Sequence, residues 1–205
     1  MTLSDSFTLS AVLLAGGQGS RLGGRDKGLM DWHGQPVAQR LAARLRSVAA
    51  PIMISCNRNQ EQYRQWADAL VTDDVPDFPG PLAGILGAIR LCRTSHLLVI
   101  PCDLPQLPPE LLEDLASHAR QEPECVWLVR TGEHWQPLVS IIPASRWASL
   151  SQAWKDGQRS PLRWLLAQSH RVLQLPEGDP RLHNANTPED WLDCSSIFAD
   201  GEVRR

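Results

Sequence analysis

Six of the fourteen glycines in this 205-residue chain fall between Gly16 and Gly28, within the stretch LAGGQGSRLGGRDKG. Glycine loses the most backbone entropy on ordering and offers no side chain to pack. Such a dense run is therefore excluded from helix and strand interiors and belongs where φ is positive or where another molecule nears the backbone. Directly before it, TLSAVLL (8–14) is a short apolar, β-capable run, the pattern of a strand buried on both faces. A glycine loop leaving a buried strand and carrying Arg21, Arg25 and Lys27 combines open amides with cations, which suits a triphosphate better than a single carboxylate. The alternative is a solvent loop without a ligand, and an idle loop of that length directly after a buried strand is unusual.

The alternation begun there continues. PVAQRLAARLRSVAA has apolar residues near helical spacing and Pro36 at its expected first helical position; PIMIS (51–55) reads as strand and NQEQYRQWADA (59–69) as helix. LVT (70–72) follows as a short strand, LAGILGAIRLC (82–92) as a helix and HLLVIPC (96–102) as a strand. This βαβα order predicts an α/β fold with a mainly parallel sheet and helices on both faces. Beyond the helix PPELLEDLASHAR, the runs CVWLV (125–129) and PLVSII (137–142) flank a turn at Thr131 and Gly132, so antiparallel pairing is expected in the C-terminal half. A helix ending near Gly157 and another restarting at Ser160, with Pro161 at its first position, follow. Length fits one domain, 1–205, with 196–205 as a frayed tail.

A formal net charge of −3 offers no general attraction to nucleic acid or an anionic membrane. Five cysteines without a C-x-x-C pair, and no signal-like or long apolar run, fit a reducing cytoplasm with the cysteines as core residues.

Known phosphate cradles can be tested against the loop. From Gly17 and Gly19 a dinucleotide fingerprint requires glycine where Leu22 stands, and a Walker A loop requires Ser or Thr after a Gly-Lys pair, whereas Lys27 lies between Asp26 and Gly28. Both fail on spacing. Asp73 and Asp103 lie at carboxyl ends of predicted parallel strands, on the edge the glycine loop occupies, where open α/β sheets bind ligands. A carboxylate there suits Mg²⁺, which takes one or two protein carboxylates and completes its shell with water and phosphate oxygens. Helix or turn capping is the alternative role for either.

With these residues in view, LAGGQGSRLGGRDKG resembles the L-A-G-G-x-x-x-R-[ML]-G-G-x-D-K block of the molybdenum cofactor guanylyltransferases, within the wider nucleotidyltransferase superfamily. FPGPLAG (78–84), PCDLP (101–105) and NANTPED (184–190) are similar to that family's later motifs, in the same order. The resemblance implies a Rossmann-like nucleotidyltransferase fold, with 1–106 as the nucleotide-binding part and 107–195 as the pterin-side part. It implies that Leu14, Ala15, Gly16 and Gly17 hold the nucleotide, that Lys27 neutralises its phosphates, that Asp73 contacts GTP, and that Asp103 binds GTP and Mg²⁺. Where family members often carry an asparagine that contacts the nucleotide, this chain has Ser55, with Asn57 two residues on. Asn184 and Asn186 match the late motif near the active site, on its pterin side, with a helix-capping turn before Thr187 and Pro188 as the alternative role.

The implied reaction is transfer of GMP from GTP to the terminal phosphate of molybdenum-molybdopterin, with Lys27, Asp103 and Arg21 as catalytic residues. Transient contacts with a molybdenum-insertion protein and with molybdoenzyme chaperones are expected of the family. For the pterin side, Arg159 and Arg163 near a helix start, and Trp127 and Trp135 beside the turn, are candidates, with surface arginine and core tryptophan as the plainer roles. A related enzyme using CTP with the same pterin, or GTP with a sugar phosphate, shares this chemistry; a non-catalytic nucleotide-binding module is the alternative from another class.

Overall fold

The computed structural model describes residues 7–16, 24–72, 80–185 and 190. In chain order these form β1 (Leu9–Leu14), the hairpin strands β2 (Asp31–Trp32) and β3 (Gln35–Pro36), α1 (Val37–Leu45), β4 (Ile52–Ser55), α2 (Gln60–Tyr63) and β5 (Ala69–Val71). Then come α3 (Pro81–Leu91), β6 (His96–Pro101), α4 (Pro109–Gln121), β7 (Val126–Thr131), β8 (His134–Pro143), α5 (Trp147–Lys155), α6 (Pro161–Leu166) and β9 (His170–Leu175).

The main sheet runs β5-β4-β1-β6-β8-β7-β9. Pairs β5–β4, β4–β1, β1–β6 and β7–β9 are parallel, and only β8 runs against its neighbours. The expected α/β architecture with antiparallel pairing in its second half is what the chain adopts. Its central strands read as unbroken apolar runs because both faces are covered. Alternate β1 residues show this: Ala11 and Leu13 face a core shared with Leu41 of α1 and Leu115 of α4, while Val12 faces Ile85 of α3, Leu150 of α5 and Leu165 of α6. Cys56, Cys92 and Cys102 are buried in these layers, as expected for core thiols.

Several local readings change. The helix expected over 59–69 is only Gln60–Tyr63, because Ala69 already pairs with Met53 and the Asp68 carboxylate accepts from Ile52 N at 2.7 Å, so the chain must turn back into the sheet early. Pro36 precedes α1 rather than beginning it, since it closes a hairpin whose turn residues His33 and Gly34 have φ of 52° and 82°. Positive φ at both central positions gives the twist a two-residue hairpin requires. Strand β9, with its mixed His170–Leu175 sequence and half-exposed face, has no clean alternation and is not apparent from periodicity.

Candidate active site

The site forms where β1 and β6 end side by side. Leu14 pairs with Pro101, and Cys102 N then donates to Leu14 O at 3.1 Å while Ala15 N donates to Ser55 O at 2.8 Å. The sheet pattern thereby continues one residue past β1 and holds Ala15, which is 3% exposed, between the neighbouring strand ends. Gly16 follows; a Cβ there would lie 3.7 Å from Asn57 Nδ2 and 3.8 Å from Ser55 O, so Leu14, Ala15, Gly16, Ser55 and Asn57 share one corner.

The first turn of α3 closes that corner. Gly80, at φ +98°, leads into Pro81 at the helix start, and a Cβ on Gly84 would stand 2.5 Å from Ser55 Oγ and 3.0 Å from Leu14 Cδ2. Gly84 is thus a close-approach glycine, which lets the helix settle onto Ser55.

On the other side, Asp103 follows β6 by two residues. Its Oδ2 is 3.5 Å from Lys27 Nζ, and the two side chains are 22% and 23% exposed. Two charges from segments 76 residues apart therefore meet, half-buried, at the carboxyl edge of the sheet. The late segment arrives there too: Ala185 N donates to Asp103 O at 2.9 Å and Ala185 is fully buried, which brings Asn184 beside the carboxylate's backbone. From α1, Arg44 Nη1 donates to the carbonyls of Pro105 and Leu107 and so ties down the chain just beyond Asp103.

Lys27 opens a short 3-10 turn, Lys27–Leu29, capped by Asp26, whose Oδ1 accepts from Gly28 N at 3.2 Å. Tyr63 donates its hydroxyl to the same oxygen, and Asn59 Nδ2 donates to Oδ2 at 2.9 Å. Burial, reinforced by neighbouring thiol and carboxylate groups, holds the Tyr63 phenol far above its ordinary range. Burial likewise raises the Cys56 thiol to about 11, and it raises Cys102 further. None of the three ionises near neutrality, so they act as packing and hydrogen-bonding groups.

The structure thus brings Leu14, Ala15, Gly16, Ser55 and Asn57 into one corner and sets Lys27 against Asp103, with Asn184 next in chain to the residue bonded to Asp103. Gly17, Arg21, Asp73 and Asn186 lie outside the described residues. Arg159 is engaged locally: its guanidinium lies 3.9 Å from the Trp154 ring centroid and donates to Trp154 O at 2.9 Å. Arg163 donates its backbone N–H to Ser160 Oγ, which caps α6. Trp127 is core, 5% exposed, and Trp135 carries the Arg130 guanidinium 5.1 Å from its ring centroid. Sequence reading passed over Asp26, Arg44 and Tyr63. Only Asp26 carries a local signal, as the acid directly before Lys27; the other two act across the fold.

A family model described as MobA-like NTP transferase domain matches residues 11–172. A molybdenum cofactor guanylyltransferase of Pseudomonas fluorescens (strain SBW25) is 46% identical over 186 residues, 91% of this chain and 93% of its own length. Another of that name from Pseudomonas syringae pv. syringae (strain B728a) is 49% identical over 179 residues, 87% of this chain and 89% of its own. Among solved structures, molybdopterin-guanine dinucleotide biosynthesis protein A from Archaeoglobus fulgidus superposes with a TM-score of 0.73 at 21% identity, covering 93% of this chain and 98% of its own.

Proposed function

This chain belongs to the MobA-like NTP transferase family, alongside the molybdenum cofactor guanylyltransferases, and on that premise we propose that it transfers GMP from GTP to the terminal phosphate of molybdenum-molybdopterin, releasing pyrophosphate. It is a nucleotidyltransferase; the proposal concerns the base, the acceptor and the residues that act. The observation that carries it is the meeting of Lys27 and Asp103 at 3.5 Å beside the glycine corner, a cation and a carboxylate exposed enough to reach a ligand.

In this reading an acceptor phosphate oxygen forms a bond to the α-phosphorus while the bond to the bridging oxygen breaks, and pyrophosphate leaves with that electron pair. A phosphate monoester is already anionic at neutral pH, so no general base is required, and rate enhancement comes from positioning and charge neutralisation. Lys27 faces the triphosphate with its ammonium. Leu14, Ala15, Gly16 and Asn57 hold the nucleoside end, Ser55 supplies the wall on which α3 rests, and Arg21, Gly17 and Asp73 belong to the same grip by their motif positions. The donor set fits Mg²⁺: Asp103 offers a single part-exposed carboxylate, as expected of an ion that keeps water and phosphate oxygens in its shell. Bound there, Mg²⁺ supplies positive charge to the phosphate oxygens.

The same proposal includes a cytoplasmic enzyme that takes its pterin from a molybdenum-insertion protein and passes the product to molybdoenzyme chaperones. No helix among the described residues is long and apolar enough to cross a membrane.

Thermal unfolding with GTP, CTP, ATP and UTP, with and without Mg²⁺, followed by turnover with molybdenum-molybdopterin, tests the reading. A selective GTP shift and GMP transfer support it. At a hundred times the Kd, binding raises stability by about 2.7 kcal/mol, or roughly 5–11 °C for a chain of this size. A CTP-selective shift moves the activity to cytidylyl transfer, and no shift with any triphosphate overturns it.

A further inference from the structure

Asp26 combines features that a loop carboxylate seldom shows. Its side chain is only 6% exposed, yet it stands one residue before the cation that meets Asp103. A carboxylate so buried is costly unless its oxygens are fully engaged. Here Oδ1 accepts from Gly28 N and the Tyr63 hydroxyl, and Oδ2 accepts from Asn59 Nδ2 with Arg58 Nε at 3.8 Å. The Arg58 guanidinium continues the hold along the same segment, donating to Gly24 O at 2.8 Å and Arg25 O at 3.2 Å. Gly28 permits the approach: a Cβ there would collide with the Tyr63 hydroxyl and lie 3.1 Å from its Cε1. Tyr63 itself is fully buried and packs edge-on against Trp66, so its oxygen is a fixed point. All three side chains that grip Asp26 come from the segment directly after β4, whose own last residue, Ser55, lines the glycine corner together with Asn57.

We infer that Asp26 is a positioning residue, clamped by Tyr63, Asn59 and Arg58, that fixes the backbone of Lys27 so that its ammonium faces the triphosphate beside Asp103. The inference rests on the nucleotide-binding reading of the site and gives a task to Asp26, which stands in the motif before Lys27 without a role, through a clamp of side chains that lies outside that motif. A flexible lysine on a glycine loop gains little from its charge unless its backbone is held, because misplacement of a catalytic group by about 1 Å costs up to a hundredfold.

The test is a double-mutant cycle read on affinity for GTP and for inorganic tripolyphosphate by calorimetry, with steady-state kcat and KM beside it. Tyr63→Phe removes only the hydroxyl. Asn59→Gly removes the amide and suits the left-handed backbone there, φ 55°, so it supplies a folded second variant. Each is expected to weaken both probes about tenfold and to raise KM for GTP as well as lower kcat, with little further loss in a Lys27→Met background, as coupled residues behave. Equal losses with and without Lys27 overturn the inference and leave the nucleotide reading intact, because the clamp then acts on the fold alone. Unchanged affinity in both clamp variants also overturns it. If Lys27→Met binds both probes like the unaltered protein, or the unaltered protein binds neither, the nucleotide reading fails and takes the inference with it. Preference for CTP over GTP overturns only the guanylyl assignment, and the cycle is then read with CTP.

Discussion

A cation and a carboxylate at a sheet edge gain their meaning from how each is held. Asp103 is held through its backbone, by Ala185 N on its own carbonyl, which leaves the side chain facing Lys27. Asp103→Asn is therefore expected to keep the fold and lower kcat for GMP transfer by roughly a hundredfold to a thousandfold, the scale on which one electrostatic group acts. Its thermal midpoint without ligand should stay near that of the unaltered chain, and wild-type turnover would remove Asp103 from the mechanism. Gly84 makes a steric prediction. An alanine there gains about 1 kcal/mol in helix propensity but meets Ser55 Oγ at 2.5 Å, and Ser55, 4% exposed, has little room to yield. A net loss of about 1–2 kcal/mol is expected from the urea midpoint, together with weaker nucleotide binding. At this scale Lys27, Asp103 and Gly16 were legible in the sequence, because motif spacing is local. Asp26 stood in the same motif without a role: its importance lies in Tyr63 and Asn59, more than thirty residues on, which no local pattern ties to it.

Elements translate these local signals into a site. Helix α1 lies against the first core with Leu41 and Leu45, and it reaches the chain after β6 through Arg44, whose guanidinium donates to two carbonyls there. Burial lowers the Arg44 pKa from its ordinary value, but the group remains charged at any pH of interest. Arg44→Met leaves both carbonyls without that donor and is expected to cost about 2–3 kcal/mol in denaturant unfolding. Because the freed segment begins two residues after Asp103, turnover should fall as well. Helices α1, α3 and α4 were readable from apolar spacing and from prolines at or just before their starts. The shortness of α2 was not: the sequence 59–69 suits a helix, and it is the pairing of β5 with β4 that ends it at Tyr63. That early end sets Tyr63 against Asp26 and Gly28.

For the molecule as a whole, the sheet separates function from some of its stability. His96 begins β6, opposite the end that carries Asp103, and is 4% exposed with Nε2 donating to Pro123 O at 2.8 Å. Burial lowers its pKa, outweighing the Pro123 bond and nearby Glu124, which raise it. The unfolded chain then binds the proton more readily than the folded one, so stability is greatest above the unfolded value near 6.5 and falls as pH drops below it. Urea midpoints at pH 7.5 and 5.5 should show this loss, and His96→Gln should flatten it; an unchanged slope would assign the pH dependence elsewhere. The sequence by itself determined the alternation of strands and helices, the glycine loop at the end of β1 and Asp103 at the end of β6, since hydrophobic period, proline and glycine act within a few residues. Only the tertiary structure decided the strand order, the antiparallel insertion of β8 between β6 and β7, the clamp on Asp26 and the arrival of Ala185 at Asp103. Each of these is a choice of partner across the chain, made by which buried surfaces and unpaired backbone groups fit one another once the sheet is assembled.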